Sequence, residues 1–238
     1  MKTVLITGAS RGIGAACAAT FAAAGYKVLA NYRSDDDAAG ALRERIGCTL
    51  YKADVGITEE VYALRDRIAK DGHSVDVLIN NAGVSLFGLF QHVTPSEAEG
   101  MYRTNLFGTL NCSRAFLPQM VEKNSGCIIN VASVWGEVGA SCEVDYSTAK
   151  AAVIGFTKAL AKEVGYSGVR VNCLSPGVID TDMNASLSIE DVETIVDSIP
   201  LERLGKAADV ASAALFLAGD GADYITGQIL SVDGGWKG

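Results

Sequence analysis

The chain has 238 residues, with 28 acidic against 20 basic side chains for a net charge of −8 at pH 7, and 49% of its residues are hydrophobic. A chain of this size can bury a substantial core, and no Pro/Ser tract, charge block or low-complexity stretch divides it, so one domain over 1–238 is expected. The acidic balance excludes a nucleic-acid partner or an acidic membrane surface, each of which needs a basic stripe. With no apolar run of about 18 residues and no signal-peptide pattern near Met1, the expected location is cytoplasmic.

In chain order, residues 4–7 read as a short apolar strand, and the turn from Gly8 to Gly14 opens an Ala-rich helix that runs to about Ala24. Further strands are expected at 27–31, 49–53, 75–80, 127–132, 170–174 and 229–232, each separated from the next by a helical pattern. Such alternation predicts βαβ units and a parallel sheet. The expected fold class is α/β, a single-domain Rossmann fold with a doubly wound sheet of about seven strands and helices on both faces. Two helical stretches, 98–122 and 146–165, are apolar on most sides and call for cover from the sheet or another subunit, which predicts a homo-oligomer. Residues 188–199 are expected to form a helix over the pocket.

Six cysteines, at 17, 48, 112, 127, 142 and 173, show neither Cys-x-x-Cys pairs nor histidines at ligand spacing, so no metal is expected. His73 and His92 receive no role.

The glycine turn Thr7-Gly8-Ala9-Ser10-Arg11-Gly12-Ile13-Gly14 lies between the first strand and the first helix. Glycines there permit a tight turn and close backbone approach to a pyrophosphate, whose charge a helix N-terminus favours. At the end of the second strand, where an acidic residue would hold a ribose 2′-hydroxyl, stand Asn31, Tyr32, Arg33 and Ser34. Arg33, helped by Arg11, can instead meet a 2′-phosphate, so NADP(H) is the expected cofactor. Asp35, Asp36 and Asp37 follow, and their place at the start of the next helix makes them N-terminal caps.

Tyr146 and Lys150 are four residues apart, on one face of a helix, with Ser133 thirteen residues upstream of Tyr146 at the end of an apolar run. An ordinary phenol, with a pKa of about 10, is a poor acid-base catalyst near neutrality; an ammonium beneath it would favour the deprotonated form. The trio can hold a proton donor beside a reducible carbonyl.

Together these residues resemble the short-chain dehydrogenase/reductase family along the whole chain. The motifs Thr7-Gly8-x-x-x-Gly12-x-Gly14, Asn80-Asn81-Ala82-Gly83, Asn105, Ser133, Tyr146-x-x-x-Lys150 and Pro176-Gly177 follow in the family's order. The resemblance implies catalysis by Asn105, Ser133, Tyr146 and Lys150. It implies that Asp54 and Val55 contact adenine, that Asn80 and Ala82 border the adenosine ribose, that Gly83 belongs to the cofactor site, and that Pro176, Gly177, Ile179 and Thr181 flank the nicotinamide. Tyr146 and Lys150 would also meet the cofactor. It further implies a homotetramer.

Within the family, residues 176–183 and 200–205 resemble 3-oxoacyl-acyl-carrier-protein reductases, which reduce a ketone to a secondary alcohol. Those enzymes dock an acidic carrier protein through arginines that align with Cys127 and Ser167 here, which puts that carrier in doubt. The stretches 135–144 and 224–236 resemble reductases of the 5-aminopentanone modification on elongation factor P. Trp135, Glu137 and Glu143 are expected at the substrate pocket, where a carboxylate can pair with an ammonium. The alternative of another class is a non-catalytic dinucleotide-sensing module, which would not need serine, tyrosine, lysine and asparagine together.

Overall fold

A computed structural model describes residues 1–185 and 187–236. The strands are β1 (Thr3–Ile6), β2 (Lys27–Tyr32), β3 (Thr49–Lys52), β4 (Val77–Asn80), β5 (Gly126–Val131), β6 (Val169–Pro176), β7 (Ile179–Asp180), β8 (Gly205–Lys206) and β9 (Ile229–Val232). Seven of them form one parallel sheet in the order β3-β2-β1-β4-β5-β6-β9. The order reverses direction at β1 and β4, the topological switch point at which Rossmann folds bind dinucleotides outside the strands' carboxyl ends.

The helices are α1 (Gly12–Ala23), α2 (Asp36–Ile46), α3 (Thr58–Lys70), α4 (Pro95–Tyr102), α5 (Gly108–Glu122), α6 (Trp135–Val138), α7 (Val144–Val164), α8 (Ile189–Ser198) and α9 (Ala207–Ala218). Period-2 alternation in the strands assigns the two layers. Val4 and Ile6 bury on one face with Phe21 of α1 and Leu217 of α9, while Leu5 buries on the other with Leu64 of α3 and Phe116 of α5. Fully burying a side chain such as Phe21 or Phe116 contributes about 1.5–3 kcal/mol, so the sheet is held from both sides. The expected doubly wound Rossmann architecture with seven strands in its main sheet is therefore the one observed.

Two departures bear on the site. The continuous apolar pattern over 98–122 predicted one helix, but α4 and α5 are separated by a π turn at Arg103–Phe107. The β7–β8 ribbon was not expected, because two residues per strand carry no alternation to read. It joins the two ends of the excursion that carries α8, with Ile179 opposite Gly205 and Asp180 opposite Lys206. The helix expected at 188–199 is α8, started by a capping box between Ser188 and Asp191. Among the described residues no helix is long and apolar enough to cross a membrane.

Candidate active site

The glycine turn is pinned to the mouth of the sheet by groups that need no ligand. Thr7 Oγ1 accepts from the N–H groups of Asn81 and Ala82, both at 3.0 Å, and Asn81 Nδ2 donates to the carbonyls of Thr7 at 2.9 Å and Gly8 at 3.1 Å. A Cβ on Gly14 would lie 2.2 Å from the Gly8 carbonyl oxygen and 2.6 Å from Asn81 Nδ2, and Gly8 itself has φ +62°. Only glycine fits either position. Arg11 leaves the start of α1 without a side-chain cap, and no acidic residue stands in its first turn. Uncapped amides at a helix N-terminus, framed by glycines that keep the cradle open, fit a pyrophosphate. Ser10, Arg11, Gly12 and Ile13 are all at least partly exposed along this rim.

At the end of β2, Arg33 is exposed, with its guanidinium 3.9 Å from the Asp54 carboxylate, and Ser34 is exposed beside it. Two of the three aspartates that follow are engaged elsewhere. Asp35 caps α2 by accepting from Ala38 N–H at 2.9 Å, and Asp36 pairs with Lys52 at 2.6 Å and accepts from the Tyr32 hydroxyl at 2.9 Å. The capping role expected of this run is thus met at Asp35. Asp54 Oδ1 accepts from Gly56 N–H at 2.8 Å, and the buried Val55 gives its carbonyl to Asn111 Nδ2 at 3.1 Å.

Two expected cofactor residues have their side chains turned into the protein. Asn31 donates to the carbonyls of Tyr51 and Ala53 at 3.2 and 3.0 Å, bonding β2 to β3 beyond their ladder. Asn80 donates to Ser113 Oγ at 3.1 Å and to Asn130 Oδ1 at 2.8 Å, and Asn130 donates in turn to Thr157 at 2.9 Å. These carboxamides bond β2 to β3 and tie β4 to α5 and β5.

The catalytic candidates converge above β4 and β5. Ser133 follows β5, Tyr146 and Lys150 lie one turn apart in α7, and Asn105 comes from the π turn; all four are buried. The Ser133 hydroxyl stands near enough to the Tyr146 phenol to work against its upward shift. A Cβ on Gly83 would lie 3.5 Å from Asn105 Oδ1 and 3.6 Å from Lys150 Nζ, so these two groups approach each other across a glycine. The π turn accounts for Asn105's aim: one wider turn swings its carboxamide onto Val84, where it accepts from the N–H and donates to the C=O, each at 2.8 Å.

The electrostatics differ from the expected scheme in one respect. Lys150 Nζ lies over the Tyr146 ring, 5.6 Å from its centroid, and donates to the Val131 carbonyl at 2.9 Å. Burial pushes the lysine down to about 8. The Tyr146 phenol is pushed up to about 12, first by burial and then by the Glu143 carboxylate, against which the Ser133 hydrogen bond works. The expected lowering of the phenol by the ammonium is not found: burial and the Glu143 carboxylate raise it, and the phenol is held in its protonated form.

Of the three expected pocket residues, two face this centre. Trp135 N–H donates to Ser133 Oγ at 3.2 Å, and its side chain stands near the half-buried Glu143 carboxyl, which burial pushes up. Glu137 is exposed and turned towards β9, where it accepts from Ser231 at 3.3 Å. On the opposite wall, Pro176 ends β6, Gly177 donates to the Val232 carbonyl at 3.0 Å, and Ile179 is buried. Thr181 comes within 3.6 Å of where a Cβ on Gly12 would stand, bringing the end of this wall against the pyrophosphate turn.

Sequence reasoning missed Thr7 and Asn81 as the fasteners of the turn, although both stand inside motifs it used. It also missed Gly136, whose missing Cβ would lie 2.7 Å from the Lys150 carbonyl carbon and so lets α6 press on α7. Nothing in the residue pattern marked these contacts.

A dinucleotide cradle facing a buried Ser-Tyr-Lys-Asn group describes an oxidoreductase of the nicotinamide type. The family model described as enoyl-(acyl carrier protein) reductase matches residues 8–237. An uncharacterized oxidoreductase, YmfI of Bacillus subtilis, is 41% identical over 99% of this chain and 98% of its own length. The 3-oxoacyl-[acyl-carrier-protein] reductases FabG of Chlamydia trachomatis and Staphylococcus aureus are each 41% identical over 98% of this chain, and over 96% and 97% of their own lengths. The chain belongs to the short-chain dehydrogenase/reductase family. It is an oxidoreductase acting on CH–OH/C=O groups, a ketone reductase of the 3-oxoacyl-reductase-like kind, with a nicotinamide dinucleotide as cofactor.

Proposed function

We propose that the chain uses NADPH to reduce a ketone to a secondary alcohol, with Ser133, Tyr146, Lys150 and Asn105 as its catalytic group. The observation that carries this reading is the buried junction at which Ser133 meets Tyr146 while Lys150 and Asn105 close on Gly83. The nicotinamide, when bound, supplies the hydride to the carbonyl carbon. Ser133 donates a hydrogen bond to the carbonyl oxygen, and Tyr146, protonated at neutral pH, gives that oxygen its proton. Lys150 would hold the nicotinamide ribose, and Asn105 would join the lysine to solvent through water. Gly8, Ser10, Arg11, Gly12, Ile13 and Gly14 would cradle the pyrophosphate, Asp54 and Val55 the adenine, and residues 176–181 the nicotinamide. NADPH is favoured over NADH because Arg33 and Arg11 stand exposed where a 2′-phosphate would come, while Asp35 and Asp36 are engaged within α2 and with β3.

For the substrate, the likeness to FabG favours a 3-oxoacyl group on an acyl carrier protein. A second reading, the 5-aminopentanone modification of elongation factor P, is favoured by one observation: Glu143 is half-buried near Tyr146, with only the neutral Trp135 side chain acting on it against its upward shift. A carboxylate so placed is suited to a primary ammonium. Cys127 and Ser167, at the positions of the carrier-docking arginines in the resemblance, are buried and offer no cation. NADPH consumption measured with an acetoacetyl thioester and with aminopentanone-modified elongation factor P separates the two, since strong turnover of only one assigns the substrate. Exposed Phe107 and Phe216 support the homotetramer, which a sedimentation run giving a monomer at micromolar concentration would remove.

A further inference from the structure

The chain has 2 tryptophans, and they meet. Past β9, Gly234 and Gly235, with φ +67° and +89°, turn the backbone back so that Trp236 enters the protein beneath α8. The turn is tight: Asp233 accepts through its side chain from Gly235 N–H at 2.9 Å and through its carbonyl from Trp236 N–H at 3.2 Å. Trp236 is buried with Val134 and Ile199, and its ring meets that of Trp135 edge to face, with centroids 5.0 Å apart and planes at 65°. A Cβ on Gly234 would lie 2.8 Å from Ile199, so the turn also presses on the end of α8.

Trp135 touches the reacting centre twice. Its backbone N–H donates to Ser133 Oγ, which occupies a lone pair of that oxygen and leaves the hydroxyl proton to be given away. Its indole stands near the Glu143 carboxyl, which in turn stands near Tyr146. Four-residue α6 has no length of its own to fix Trp135. Its rigidity comes from Gly136 against α7 on one side and from the Trp236 ring on the other.

We propose that Trp236 is a positioning residue for the reduction, bracing Trp135 from behind so that Trp135 keeps the Ser133 hydroxyl and the Glu143 carboxylate in place beside Tyr146. This rests on the catalytic reading above. Trp236 acts through the ring of Trp135, which it meets edge to face. Loosening an aligned donor by a fraction of an ångström lowers turnover while leaving the distant nucleotide cradle intact.

The test compares Trp236→Ala and Trp236→Phe in the full chain, with kcat and KM for the ketone, KM for NADPH and thermal unfolding measured together. The expected result for Trp236→Ala is a fall in kcat of about tenfold with KM for NADPH unchanged, and Trp236→Phe restores most of it because a phenyl ring can take the same edge-to-face contact. In Trp236→Phe the emission comes from Trp135 alone, and it should change when the ketone binds. Unchanged kcat in Trp236→Ala, or equal losses in the Ala and Phe variants, overturns the proposal. If Trp236→Ala does not fold, Trp236→Leu replaces it: a loss in Leu that is absent in Phe supports the brace, and equal kcat in the two sinks it. The catalytic reading has a separate control in Tyr146→Phe. Should that variant keep full turnover, the catalytic reading fails whatever the Trp236 variants do; should it be inactive while Trp236→Ala is normal, only the brace fails.

Discussion

The two sides of the cleft are built differently. On the nucleotide side, the polar side chains of Thr7, Asn31, Asn80 and Asn81 are spent on the protein's own backbone and neighbours, and the surface offered to a ligand is glycine backbone and uncapped amides. On the ketone side the backbone is ordinary helix and strand end, and the surface offered is side-chain chemistry: a buried hydroxyl, phenol and ammonium beside a half-buried carboxyl. A change on the first side should therefore fail by steric exclusion of the cofactor. A change on the second should fail in the chemical step with the cofactor still bound.

The largest expected effect is on the ketone side. Tyr146→Phe removes the proton donor and little volume, so turnover should fall about 1,000-fold with NADPH affinity within a few-fold of normal. Equal losses in turnover and NADPH binding would erase the distinction between the two sides. On the nucleotide side, Gly14→Ala places a Cβ 2.2 Å from the Gly8 oxygen, a contact the pinned turn cannot relieve. It should weaken NADPH binding by about 100-fold, read by fluorescence titration, while a bound cofactor at saturation still turns over. Normal NADPH affinity in this variant would show that the turn adapts.

Much of this division was legible in the sequence, and its limits have physical causes. Alternating apolar runs gave the sheet, and the glycine turn with Ser133, Tyr146 and Lys150 marked both sides of the cleft, because backbone conformation and helical spacing are local properties. The direction of a carboxamide is not local. Asn80 lies in a motif suggesting ribose contact, yet its side chain goes to Ser113 and Asn130, residues 33 and 50 positions away. The π turn at Asn105 was likewise hidden, since an apolar helix with one extra residue keeps almost the same pattern. The balance between burial and charge at Tyr146 needed the third dimension as well: spacing brought Lys150 close, but only packing shows that desolvation prevails.

That balance has a pH signature. Lys150, held down to about 8 by burial, is charged below that pH and neutral above it, whereas the phenol at about 12 stays protonated throughout the working range. The kcat/KM for ketone reduction, which reports free-enzyme groups, should stay level below about 8 and fall about tenfold per unit above it. A profile level to pH 10 would mean that the ammonium keeps an ordinary pKa. Back on the nucleotide side, Arg33→Ala should lower the ratio of kcat/KM for NADPH over NADH by about tenfold, the scale of one hydrogen bond to a charged group. An unchanged ratio would remove Arg33 from the cofactor assignment.

The smallest effect tests whether the acidic run after Arg33 belongs to the fold or to the ligand. Asp35 accepts from Ala38 N–H at the start of α2, so Asp35→Ala should cost about 1 kcal/mol, seen as a drop in unfolding midpoint of about 2–4 °C. Its carboxylate is exposed and already bonded to the helix, so its removal should change the NADPH-over-NADH ratio by less than about twofold. A tenfold gain in NADPH preference without loss of stability would make Asp35 a repulsive element of the cofactor site and blur the rule that polar side chains there serve the protein first. A stability loss alone would leave Arg33 as the charge that reads the cofactor, with the aspartates holding the helix behind it.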